Sequence, residues 1–193
     1  WADIELVVND RYVPLLFGLL LEAPLRCAAC DCLLEVVQKG MGPARKVVLI
    51  QRLGLLPVLH QVLALAAAEA GSGGGGGGDD DDDEEGPVEF MQRAAQLADA
   101  VGQHFLACLG AAAVADGGGD AALLSSAAKA AAEGLGATVP LVLACLGRAE
   151  LEVQQGVLGF VNAAVSHLRS SWACGEGGRG VLGGFLAELL VRH

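Results

Sequence analysis

The sequence predicts an all-α protein built of HEAT-like helical hairpin repeats that form part of an α-solenoid. Three observations predict it. Ala, Leu and Val supply the apolar content, with 53% of the 193 residues hydrophobic and only 4% aromatic, which favours helix over sheet. Apolar residues recur at i, i+3, i+4 and i+7 in one stretch after another. Pro, Gly and short polar residues separate those stretches and pair them at a spacing of about 40–47 residues, which suits HEAT or armadillo stacking.

Taken in order, Ile4 to Val8 reads as the end of a helix, and Asn9 or Asp10 caps the next one, since short polar side chains accept from free backbone N–H groups. Tyr12, Leu15, Leu16, Leu19 and Leu20 share one face of that helix. Pro24 restarts a helix, with a stripe of Leu25, Ala28, Ala29, Cys32, Leu33, Val36 and Val37. Lys39-Gly40 closes it, a cation at the helix C-terminus followed by a turn-forming glycine. Residues 11–39 therefore make one antiparallel hairpin. Pro43 opens a further helix through Val47, Val48, Ile50, Leu53 and Leu56. Pro57 kinks or divides it, and helix resumes to Glu69.

Residues 71–87 are a Gly-rich run followed by an acidic run. They have no apolar surface to bury against chain entropy and are expected to be a disordered loop. It divides helical repeats over 1–70 from further repeats over 88–193. Helix returns near Val88 with Phe90, Leu97, Val101, Phe105 and Cys108 inward, and Gly117-Gly118-Gly119 breaks it. Ala121 to Glu133 is an Ala-rich helix, Thr138 to Gly147 a short apolar one, and Glu150 to Trp172 a long one. The long helix carries Val157, Leu158, Val161, Val165, Leu168 and Trp172 on one face. Gly177 to Gly180 is a loop, and Val181 to Leu190 starts a last helix. The absence of a starting methionine and the apolar pattern at Phe185, Leu186, Leu189 and Leu190 read as a piece of a longer chain.

Charge bounds the function. Of the net −11, seven negative charges come from Asp79, Asp80, Asp81, Asp82, Asp83, Glu84 and Glu85, leaving 16 acidic against 12 basic side chains. A free-standing nucleic-acid-binding domain is normally basic, so an RNA contact needs a local basic face. Lys39, Arg45 and Lys46 around the turn between two helices, with Arg52 beyond, are the candidates for a phosphate backbone or an acidic protein surface. The acidic run is a solvated loop or an arm that touches a basic partner. Mean hydropathy is +0.50, but the longest uncharged apolar run, Leu53 to Ala68, is interrupted by Pro57, His60 and Gln61. It is shorter than the roughly 20 residues of a spanning helix, so no membrane insertion is expected.

No catalytic, metal or cofactor site emerges. Cys27, Cys30 and Cys32 suggest half of a zinc site, but the run lies mid-helix with no second Cys or His pair nearby, and Cys32 falls on the apolar stripe. His60, His104, His167 and His193 are scattered. Gly73 to Gly78 lacks the lysine and hydroxyl of a P-loop, and acid follows it.

Three sets of residues carry a family resemblance. They are Trp1-Ala-Asp3, Asn9-Asp10-Arg11-Tyr12, and the dense run Ala29-Cys30-Asp31-Cys32-Leu33-Leu34-Glu35-Val36-Val37-Gln38-Lys39-Gly40-Met41. They resemble the exportin-T family, the transfer-RNA exportins of the importin-β superfamily. Val101-Gly102-Gln103 and Gly159-Phe160 look like family residues at corresponding places. The resemblance implies a superhelical receptor that is not an enzyme and needs no cofactor. It would bind transfer RNA cooperatively with Ran in its GTP form, pass nuclear pore proteins between nucleus and cytoplasm, and release both ligands on GTP hydrolysis. The alternative readings are a helical-repeat scaffold or another exportin with protein cargo, and a metal-dependent enzyme using Cys27 and Cys30.

Overall fold

The computed structural model describes residue 8 and residues 11–72, 86–115, 121–174, 183–185, 187, 188 and 191. Among these residues the chain is all-α with no strand. The helices are α1 (Tyr12–Leu19), α2 (Arg26–Gln38), α3 (Pro43–Leu53), α4 (Leu55–Ser72), α5 (Pro87–Ala113), α6 (Ala121–Leu146), α7 (Leu151–Gln155) and α8 (Leu158–Cys174). Residues 183–185, 187, 188 and 191 are helical as well.

In chain order the helices pair as α1 with α2, the bent pair α3–α4 with α5, and α6 with the broken pair α7–α8. The most extensive packing is between successive pairs, α5 on α6, and α6 touches its own partner only lightly, at α7. α5 packs on α2 before it and on α7 and α8 after it, while α3 and α4 pack on α6. Val13 on α1 meets Leu49 on α3. One layer thus holds α1, α3–α4 and α6, and the other α2, α5 and α7–α8. Each hairpin covers the apolar face its predecessor leaves open, which is the logic of stacked repeats. α5 lies at the centre. Its Phe90, Leu97, Val101, Phe105 and Cys108 are buried as the 3.6-residue period predicts.

Several expected faces and boundaries shift. On α1 the buried residues are Val13 and Leu20, whereas Tyr12 and Leu15 are 55% and 56% exposed. α2 begins two residues after Pro24 and buries Cys27, Ala29, Cys30, Leu33 and Val37, while Cys32, Ala28 and Leu25 face outward. The break after α3 falls at Gly54, not at Pro57. Gly54 takes φ +64°, a left-handed conformation that costs glycine little, and α3 and α4 meet there at 61°. Pro57 sits in the first turn of α4, where its missing N–H has no intrahelical partner to lose. Val48 is exposed.

The Ala-rich and short apolar segments are one helix, α6, with Pro140 inside it. Proline strips a hydrogen bond from the preceding turn. Near it, Thr138 Oγ1 donates to the Gly134 carbonyl, and His60 Nε2 on α4 lies 3.0 Å from the Ala137 carbonyl. α6 is long and apolar enough to cross a membrane by length and composition, and 50% of its most apolar stretch is buried inside the protein. The expected Glu150–Trp172 helix is divided at Gly156, and its inner face carries Val153, Val157, Phe160, Ala164 and Leu168. Leu158 and Val165 are exposed. The expected loop loses Gly71 and Ser72 to α4 and Pro87 to α5. The expectations for Asn9, Asp10, residues 73–85, Gly117 to Gly119 and Gly177 to Gly180 lie outside the described residues.

Candidate partner-binding surfaces

The four basic candidates separate. Arg45 and Arg52 are exposed, seven residues apart on the outer face of α3, with exposed Val48 between them. Lys39 is half-buried in the turn between α2 and α3. Lys46 is not a surface contact. It is 0% exposed, and its Nζ donates to the carbonyls of Val36 at 3.2 Å and Lys39 at 2.6 Å. These carbonyls belong to the C-terminal end of α2, where a helix lacks its own donors and carries a partial negative charge. Burial lowers the Lys46 pKa. His104, from α5, hydrogen-bonds the Val37 carbonyl at the same helix end. Its pKa is lowered, first by burial and then by Lys46, against that hydrogen bond. The α2 terminus is thus closed by side chains from both helices of the next hairpin. The signal for Lys46 was in the sequence: Lys46, Leu49, Ile50 and Leu53 follow the i, i+3, i+4, i+7 spacing of a buried face. The acidic candidates Asp79 to Glu85 lie outside the described residues.

The dense run from Ala29 to Met41 is an inter-hairpin joint. Cys30 and Leu33 point into the core, and burial pushes the Cys30 thiol up to about 12, so it is a small hydrophobe and no nucleophile. Asp31 faces outward and accepts from Arg93 Nε on α5 at 3.2 Å, while Arg93 Nη1 donates to Glu89 at 2.7 Å. The Arg26 guanidinium lies 4.7 Å from the centre of the Phe90 ring. Cys27 and Cys30 share the inner face of α2 and Cys32 occupies the outer one, so the three thiols do not converge. Among the described residues no group of three His, Cys, Asp or Glu side chains could hold a metal ion.

A second joint unites the two shorter motif pieces, which lie far apart in the chain. A Cβ on Gly102 would fall 2.4 Å from the Phe160 ring, so the bare backbone of α5 is what admits the aromatic side chain of α8. Phe160 is fully buried and also meets Phe185, ring centres 5.7 Å apart. Asp99, one turn before Gln103 on α5, accepts the Phe160 backbone N–H and the Gln103 amide. Phe160 lies in the first turn of α8, so Asp99 caps that helix from another hairpin. Burial raises the Asp99 pKa, and those two donors oppose the shift.

Beside this joint a groove runs along α5, open between α2 and the α7–α8 break. Its volume is about 360 Å³, and Gln38, Gln96, Asp99, Gln103, His104 and Gly156 line it. Sequence reasoning missed it. The available signal was the polar stripe Gln92, Gln96, Asp99 and Gln103, spaced at one helical turn opposite the apolar face.

The architecture defines a class: a stack of helical hairpins that offers extended faces. No family model matches the chain, and no solved structure matches it. Curated relatives do. Exportin-T of Mus musculus is 29% identical over 160 residues, which is 83% of this chain and 14% of the relative. Exportin-T of Mycosarcoma maydis is 29% identical over 193 residues, 98% of this chain and 16% of the relative. Exportin-T of Danio rerio is 49% identical over 53 residues, 28% of this chain and 6% of the relative. The chain is similar to exportin-T along most of its length. It spans 14% of the length of the mouse relative.

Proposed function

We propose that this chain contributes three hairpins to a nuclear export receptor that binds transfer RNA cooperatively with Ran in its GTP form. In this reading the receptor shuttles between nucleus and cytoplasm past nuclear pore proteins. The observation that carries the reading is the match to exportin-T over most of the chain, together with the way the matched motifs lock successive hairpins. Such a stack suits cooperative binding: small rotations at each hairpin interface add up, and a curvature that both ligands favour couples their affinities reciprocally. Transfer RNA is read by shape and phosphates. Arg45 and Arg52, exposed and two helical turns apart on α3, are the phosphate contacts we assign to this stretch, with Lys39 at the neighbouring turn.

The test is transfer-RNA binding to the full-length receptor with and without Ran–GTP. Binding at least about tenfold tighter with Ran–GTP is expected, a coupling of about 1.4 kcal/mol. Equal affinity rejects the reading, and recovery of protein cargo without transfer RNA favours the scaffold alternative. Arg45→Glu with Arg52→Glu should weaken transfer-RNA binding and flatten its salt dependence. An unchanged salt slope removes α3 from the contact.

A further inference from the structure

We propose that the groove along α5 is a docking site for a lysine or arginine side chain of a protein partner. The inference stands on the groove itself and goes beyond the choice of cargo. The cleft of about 360 Å³ lies at the small end of ligand sites, with room for one long side chain and its flanking backbone. Gly156, which lines it, and Gly159 nearby bring only backbone close to α5: a Cβ on Gly159 would fall 2.7 Å from the Asp99 carboxylate.

Its chemistry is that of a cation acceptor. Asp99 is half-buried, and the groups that hydrogen-bond it, the Phe160 N–H and the Gln103 amide, are both neutral. Its charge is therefore only partly compensated, and an incoming cation gains from that. Gln38 and Gln96 line the same space, and a side-chain amide carbonyl can accept the N–H fork of a guanidinium. On the helices that flank the groove, Glu35 of α2 and Glu152 of α7 are exposed. Lys46, near His104, does not offset this, because it is buried beneath the surface with its ammonium held by the carbonyls at the end of α2. An RNA backbone would set phosphates against Asp99 and Glu35, whereas a basic protein side chain meets complementary charge.

The probe is a fluorescein-labelled nonapeptide bearing three spaced arginines, with a citrulline version of equal shape and no charge. Fluorescence anisotropy is read on the whole chain at low and physiological salt. The arginine peptide should bind at least about tenfold tighter than the citrulline one. Gln96→Lys should weaken it about fivefold or more, and Gln96→Glu should strengthen it, since a unit charge added at the groove acts at short range. Gln38→Lys, at an exposed position, repeats the test if Gln96→Lys misfolds. Absence of binding overturns the proposal. So does equal affinity for both peptides, or affinity unchanged by lysine in the groove. Loss of binding on deletion of residues 79–85 assigns it to the acidic run and overturns the proposal too. A single-stranded RNA probe that binds the parent and is lost in Gln96→Glu names RNA as the occupant and overturns it as well.

Discussion

Replacing Lys46 by methionine distinguishes a structural ammonium from a ligand contact. Methionine keeps the length and apolar stem of lysine and removes the charge and three donors. The Nζ donates to Val36 and Lys39 at 3.2 and 2.6 Å, and each hydrogen bond from a charged donor contributes about 1.5–3 kcal/mol. Removing the donor strands two helix-end carbonyls, each costing about 1–3 kcal/mol when it stays dry. Against this, the substitution relieves the desolvation that lowers the Lys46 pKa. The expected net loss is about 2–4 kcal/mol. With a urea dependence of about 2 kcal/mol per molar, the midpoint of denaturation should fall by about 1–2 M, read by circular dichroism at the helix band. Arg45→Met, one residue away and exposed, should stay within about 0.5 kcal/mol of the parent. A Lys46→Met midpoint equal to the parent's would refute the helix-end account and return Lys46 to the surface.

Two further outcomes follow from the junctions. His104 has a folded pKa below its unfolded 6.5, so the unfolded chain binds more protons between the two values. Stability should therefore be level above 6.5 and fall as pH drops through that window. His104→Gln should flatten this part of the pH profile, with the remainder due to His167, whose pKa burial also lowers; an unaltered profile would contradict the burial of His104. Asp99→Ala should destabilise by about 1–2 kcal/mol through loss of the α8 cap, and Asp99→Asn, which keeps an acceptor for the Phe160 N–H, by clearly less. Equal losses in a thermal or urea titration would argue against the cap.

Much of the fold was legible because helical period and breakers are local. α5 could be read residue by residue: its polar stripe and its buried Phe90, Leu97, Val101, Phe105 and Cys108 alternate cleanly. The short helix Tyr12-Val-Pro-Leu-Leu-Phe-Gly-Leu19 could not. Nearly every side chain in it is apolar, so several rotations give an acceptable stripe, and tertiary packing chose Val13. Along α2, alanine and cysteine are near-equivalent on both faces, which let the stripe slip from Cys27 and Cys30 to Ala28 and Cys32. Gly54 outcompeted Pro57 as the bend, since proline is harmless in a first turn.

The joints were less legible, because they are contacts between distant stretches. The cap from Asp99 to Phe160 and the approach of Gly102 to the same ring span more than fifty residues of sequence. No local period encodes them. The family resemblance marked these residues without saying what they do, and the packing supplies the reason: each piece is one half of a joint between hairpins.

The stack itself is tested most directly by a double-mutant cycle across its second joint. Gly102→Ala should cost about 1–3 kcal/mol by driving a methyl group into Phe160, and Phe160→Leu should cost about as much by leaving a gap. If α5 and α8 pack as described, the leucine makes room for the methyl group. The double variant should then be more stable than the sum of the single losses predicts, by about 1 kcal/mol or more. Strictly additive losses would mean that the two hairpins do not meet there, and the stacked account would fail.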